Sequence, residues 1–160
     1  MSSDALAVYL HNQAGSRFAI ELLESLQERY SGHLLGEFAC GLEGEVTEDQ
    51  RILLEIIEGV GPAHFDLKEA TGWIAEKAAQ FKLREDHATG GIGTFEALET
   101  LVLGIREKLA LWQVLPVARK LDPRIPDLDF ERLAASAEEP GARAEKQRVL
   151  FAMTTFRPQT

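Results

Sequence analysis

Residues 94–115, TFEALETLVLGIREKLALWQVL, form the longest uninterrupted helical pattern in the chain and constrain its fold more than any other stretch. Apolar residues at steps of three and four fall on one face of an α-helix, the face that a helical bundle buries. Here the stripe runs Leu98, Leu101, Ile105, Lys108, Trp112 and Leu115. A lysine therefore stands where an aliphatic side chain belongs. An ammonium group withdrawn from water carries a large desolvation penalty unless it is paired and hydrogen-bonded, so Lys108 must find an acid or reach solvent.

The other segments repeat the helical period. Ser2, Ser3 and Asp4 are N-cap candidates for a helix reaching about Tyr30, with Ser31-Gly32 as its stop. Midway, the small and polar cluster His11, Asn12, Ala14, Gly15 and Ser16 implies close helix approach, a local break or a polar pocket. A second helix is expected over about 34–58, and Gly36, Gly41 and Gly44 weaken its first half by about 1 kcal/mol each relative to alanine, which suggests close contact with a neighbour. Its stripe Phe38, Leu42 continues through Glu45, Asp49, Ile52 and Ile56, which points two acids inward. A slightly rotated seam through Val46, Leu53 and Ile57 leaves both acids at the boundary in water.

Asp66 is expected to cap a third helix to about residue 85, with Lys77 on its stripe or, on an alternative seam, Ala78 in that place and the lysine solvated. The glycine-rich HATGGIG at 87–93 reads as a connection with Thr94 capping the next helix. No strand precedes it, as a dinucleotide-type phosphate loop would require. After Leu115, Pro116, Pro123 and Pro126 predict a loop. A short helix over 128–137, a break at 138–141 and a helix over 142–156 complete the chain. The expected fold class is all-α, a four-helix bundle over 1–120 with a helical tail over 121–160 packed on it as part of one domain.

Charge narrows the functions. With 26 acidic against 17 basic residues and a net charge of -9, the chain lacks the clustered cations that phosphate backbones or anionic membranes require. A single cysteine, Cys40, has no partner for a disulfide, so it is expected to be buried and inert in a reducing, cytoplasmic compartment. No segment approaches the roughly 18–20 apolar residues of a membrane span, and the N-terminus has no basic leader.

The segments WIAEKAAQFKL at 73–83 and FEALETLVLGIREKLALW at 95–112, with AVYLHNQAGSRFAIELL at 7–23, resemble an uncharacterised bacterial family of ferritin-like bundle proteins. The resemblance implies a ferritin-like fold and no established activity. Bundles of this kind hold two metals through carboxylates and Glu-x-x-His pairs. None of the four histidines here has a glutamate three residues before it, which counts against an oxidase or an iron store. A reduced iron or manganese site from His11, Glu45, Asp49 and Glu99 is the alternative, and with it an oxidoreductase activity.

The expected arrangement is instead a buried polar layer of Glu45, Asp49, Lys77, Glu99 and Lys108 at the level where related bundles hold metal, with no cofactor. No GxSxG or HExxH string is present, and the paired acids reveal no cleft, so a non-catalytic protein is expected. It would act through a protein partner or self-association, using the tail and the faces around Trp73 and Trp112.

Overall fold

The computed structural model describes residues 4–62 and 91–158. Every regular element among them is helical: α1 (Ala5–Asn12), a 3-10 turn (Gln13–Gly15), α2 (Ser16–Arg29), α3 (Leu34–Val60), α4 (Ile92–Arg119) and α5 (Phe130–Thr155). The expected helix over 66–85, with Trp73 and Lys77, lies outside the described residues, as does most of the glycine-rich connection. No described helix is long and apolar enough to cross a membrane.

The first helix starts where its sequence directs. The Asp4 side chain accepts a hydrogen bond from the Ala7 amide at 3.2 Å, satisfying one of the orphan donors of the first turn. The expected single helix to Tyr30 is broken by the 3-10 turn at Gln13–Gly15, so a local break is one outcome of the small, polar cluster. The chain reverses after α2 through Gly32, at φ 81. There Gly36 lies so close to the Tyr30 carbonyl that a Cβ would collide with it. Of the three glycines in the first half of α3, this one alone meets close contact, because Gly41 has only the tip of Arg143 at 3.9 Å and Gly44 has no described atom within 4 Å of a Cβ position.

The helix around Lys108 is longer than its pattern predicted. It begins at Ile92 with Gly91 as N-cap at φ 82, so Thr94 does not cap it. Thr94 is instead fully buried, its hydroxyl 2.7 Å from that of Tyr30. At the other end Pro116 lies inside the last turn, where its missing N–H removes one helical bond and leaves those on either side in place. Likewise the tail is not two helices. Pro140 and Gly141 sit within one continuous α5, because that helix packs along α4 in the most extensive helix pair of the described fold. Small residues make the approach possible: Ala137 and Ala144 are buried on α5, and a Cβ on Gly141 would come within 3.3 Å of the Ile105 side chain. The packing offsets a proline penalty of about 3 kcal/mol in a helix interior.

Arg124 ties the α4–α5 connection to the bundle. It meets Asp4 at 2.5 Å and Asp122 at 2.6 Å and donates to the Val60 carbonyl at 3.1 Å, joining the start of α1 and the end of α3. Two separate apolar clusters form the core. One gathers Leu10, Leu53, Ile56, Leu111, Trp112, Leu115 and Phe130, with Trp112 stacked on Phe130 at 6.3 Å between ring centroids. The other gathers Leu22, Leu23, Leu26, Leu35, Leu42, Leu98 and Leu101. Trp112, expected at an interaction surface, is therefore a core residue, and Cys40, expected to be buried, is exposed on α3.

Gly36→Ala is expected to lower stability by about 1–3 kcal/mol, the usual range for forcing atoms into a packed site, in urea denaturation followed by circular dichroism. A loss under half a kcal/mol would mean that the turn yields freely.

Candidate functional site

The two core clusters do not merge, and the space between them is the site. On α3 the buried members of one cluster end at Leu42 and those of the other begin at Leu53; on α4 the same interval runs from Leu101 to Leu111. At this level the first helix breaks into its 3-10 turn and α5 carries Pro140. A cavity of about 410 Å³ opens there, walled by Asn12 and Gln13 beside the break, Ala19 of α2, one face of α3 between Leu42 and Asp49, one face of α4 between Thr100 and Lys108, and Ser136, Ala137 and Pro140 of α5.

Two glycines make room for it. Gly44 and Gly104 both line the cavity, and a Cβ on either would meet no described atom within 4 Å. Mid-helix glycine without a close neighbour gains nothing in packing and costs about 1 kcal/mol relative to alanine, so these positions hold space open. Pro140 adds a polar feature, since its missing N–H leaves the Ser136 carbonyl without its intrahelical donor.

Lys108 is the charged member of the wall. It is 8% exposed, and its Nζ is buried with no hydrogen-bond partner among the described residues. Burial pushes its amine down to about 8, against the upward pull of the Asp49 and Glu107 carboxylates. Asp49, half-buried, is held above the usual carboxylate range chiefly by desolvation, with Lys108 pulling the other way. The two charges feel one another without an ion-pair contact. Beside them Gln50 is buried, its amide donating to the Ala14 carbonyl at the helix break at 3.5 Å.

Of the expected polar layer, then, Lys108 and Asp49 meet at one level. Glu45 lines the cavity with them but is bound by Arg143, and Glu99 is not among the lining residues. Glu45 is exposed and is taken by Arg143 of α5 at 2.6 Å, and Glu99 by Arg148 at 3.3 Å. The physical reason is the tail, which brings arginines to both acids at the surface, where a carboxylate keeps its hydration. Lys77 lies outside the described residues. The alternative metal set separates in the same way: His11 is half-buried on α1, and among the described residues no three His, Cys, Asp or Glu side chains stand close enough to hold a metal ion. Sequence reasoning missed Gln50, Gly104 and Pro140. A signal for Gln50 existed, since the rotated seam Val46, Leu53, Ile57 steps over position 50.

No protein-family model matches this chain, and no curated protein or solved structure matches it. The chemistry of the cavity must therefore be taken from its own wall. Lys108 is the only cation among the described lining residues, facing Glu45, Glu48, Asp49 and Glu107. Glu45 is held by Arg143 and Glu48 by Arg51 at 2.7 Å, so the remaining acids still outnumber the lysine. The rest of the wall is largely aliphatic: Ala19, Leu42, Val46, Leu101, Ile105, Ala137 and Pro140.

Two outcomes follow. Gly44→Ala and Gly104→Ala should each raise stability by up to about 1 kcal/mol in chemical denaturation, opposite in sign to Gly36→Ala. Because the Lys108 amine titrates near 8 in the fold and near its ordinary 10.5 when unfolded, the unfolded chain binds more protons between those values, and stability should rise with pH from about 8 upward. Tyr9, raised by burial above its ordinary 10.0, opposes this only near pH 10 and beyond. Lys108→Met should flatten the rise and add about 1–2 kcal/mol at pH 7, as apolar replacement of a desolvated charge often does. Stability within half a kcal/mol of the parent would show that the ammonium stays hydrated.

Proposed function

We propose that this protein is a non-catalytic binding bundle whose mid-level cavity holds a small, uncharged, mostly apolar molecule bearing a hydrogen-bond acceptor. The supporting observation is the buried Lys108 Nζ, left without a partner among the described residues beside an aliphatic cavity of about 410 Å³. That volume lies within the range of small-molecule pockets, which are chiefly apolar with a few convergent polar groups. An acceptor on the ligand would satisfy the orphaned amine, whereas a carboxylate or phosphate would face the surplus of acids around it. In a ferritin-like reading of the bundle, this level is where metal carboxylates would stand, and the lysine takes the place of the cation.

The neutral fluorescent ketone 6-propionyl-2-dimethylaminonaphthalene tests the reading. Saturable binding near one equivalent with blue-shifted emission is expected, and Gly104→Leu, which places four carbons in the cavity, should weaken it about tenfold or more. Absence of binding, or binding indifferent to Gly104→Leu, overturns the proposal.

A second reading, self-association through the tail, rests on Val149, Leu150, Met153 and Phe156, all exposed on the last turns of α5 and beyond. The segment from Val149 to Phe156 carries no charge, so two copies of an acidic chain could meet there without like-charge repulsion. Sedimentation equilibrium should then show a dimer that Met153→Glu dissociates; a monomer at all concentrations removes this reading.

A further inference from the structure

We propose that the Lys108 amine forms a reversible imine with an aldehyde or ketone lodged in the mid-level cavity, so that the bundle captures carbonyl compounds covalently. The inference deepens the binding reading above and rests on it. Three observations converge. The Nζ is buried and makes no hydrogen bond among the described residues, so no ion-pair contact with them has to be broken before it reacts. Lys108 lines a space walled largely by aliphatic side chains, with Gly44 and Gly104 in its lining, large enough to hold a small carbonyl compound. Asp49 lines the same cavity, and its carboxylate, whose protonation is favoured by burial and opposed by Lys108, stands where it can accept a proton from the reacting nitrogen.

The chemistry balances without a redox partner. The lone pair of the neutral amine attacks the carbonyl carbon, forming the C–N bond while the carbonyl π pair moves to oxygen, which takes up a proton. Loss of the second nitrogen proton, to the Asp49 carboxylate or solvent, and departure of the hydroxyl as water, protonated by solvent, gives C=N. The sum is amine plus carbonyl to imine plus water. Desolvation in an apolar site is an established means of keeping a lysine amine nucleophilic near neutrality, and burial pushes this one down to about 8. Lys120 and Lys146 are exposed and line no part of the cavity.

The test treats the full chain at pH 8 with the neutral aldehyde 6-methoxy-2-naphthaldehyde and sodium cyanoborohydride, which reduces an imine to a stable secondary amine, followed by peptide mapping. One adduct is expected, on Lys108, forming about tenfold or more faster than on Lys120 or Lys146. It should be suppressed in Gly104→Leu and absent in Lys108→Arg, with Lys108→Met as a second replacement should the arginine disturb the fold. Labelling spread over exposed lysines with Lys108 spared, while the fluorescent ketone still binds, overturns imine formation and leaves the binding reading standing. Loss of both labelling and ketone binding overturns the two together. Lys108 labelling that persists undiminished in Gly104→Leu also sinks the proposal, since the amine would then react outside the cavity.

Discussion

The structure turns on one desolvated charge. Lys108 is carried into the bundle by the longest helical pattern in the chain, with Leu101 two turns before it and Trp112 one turn after it, both buried. Because those neighbours pack well, the helix cannot rotate to release the ammonium without exposing them. The bundle accommodates the amine instead. Its apolar core is divided into two clusters, and the polar or spacious residues of every described helix collect at the level between them.

That division explains features that are each unfavourable alone. The 3-10 turn interrupts the first helix, the glycines at 44 and 104 forgo helical stability, and Pro140 removes a hydrogen bond from α5, yet all three face the same volume. A core selected only for stability would fill this level with leucine. Small residues and a buried amine in its place are the pattern of a site that trades stability for function, which is why the cavity, and not the exposed acids, carries the functional reading.

The surface charges follow ordinary rules. Arg143 with Glu45, Arg148 with Glu99 and Arg51 with Glu48 join exposed or half-exposed groups, contacts of small energetic consequence in water. Their effect on the site is indirect. By drawing Glu45 and Glu99 outward, the arginines of α5 leave Asp49 and Glu107 as the carboxylates that act on the lysine. Arg124 does a comparable service at the opposite end, holding the connection before α5 against Asp4 and the end of α3.

Local pattern determined a good part of this architecture. The all-helical class, the cap at Asp4, the extent of α3, the buried face of α4 and the anomaly at Lys108 were legible because a 3.6-residue period and a capping side chain are properties of a few neighbouring residues. The sequence also marked the polar cluster at 11–16, without choosing among the break, the close approach and the pocket it allows. Tertiary structure decided the rest. Whether Pro116 and Pro140 end a helix depends on packing that offsets the lost hydrogen bond, and whether Glu45 faces Lys108 or Arg143 depends on where α5 lies. Above all, an unfilled volume is a relation between four or five segments, and no single stretch of sequence records that a glycine of α3 and a glycine of α4 line the same cavity.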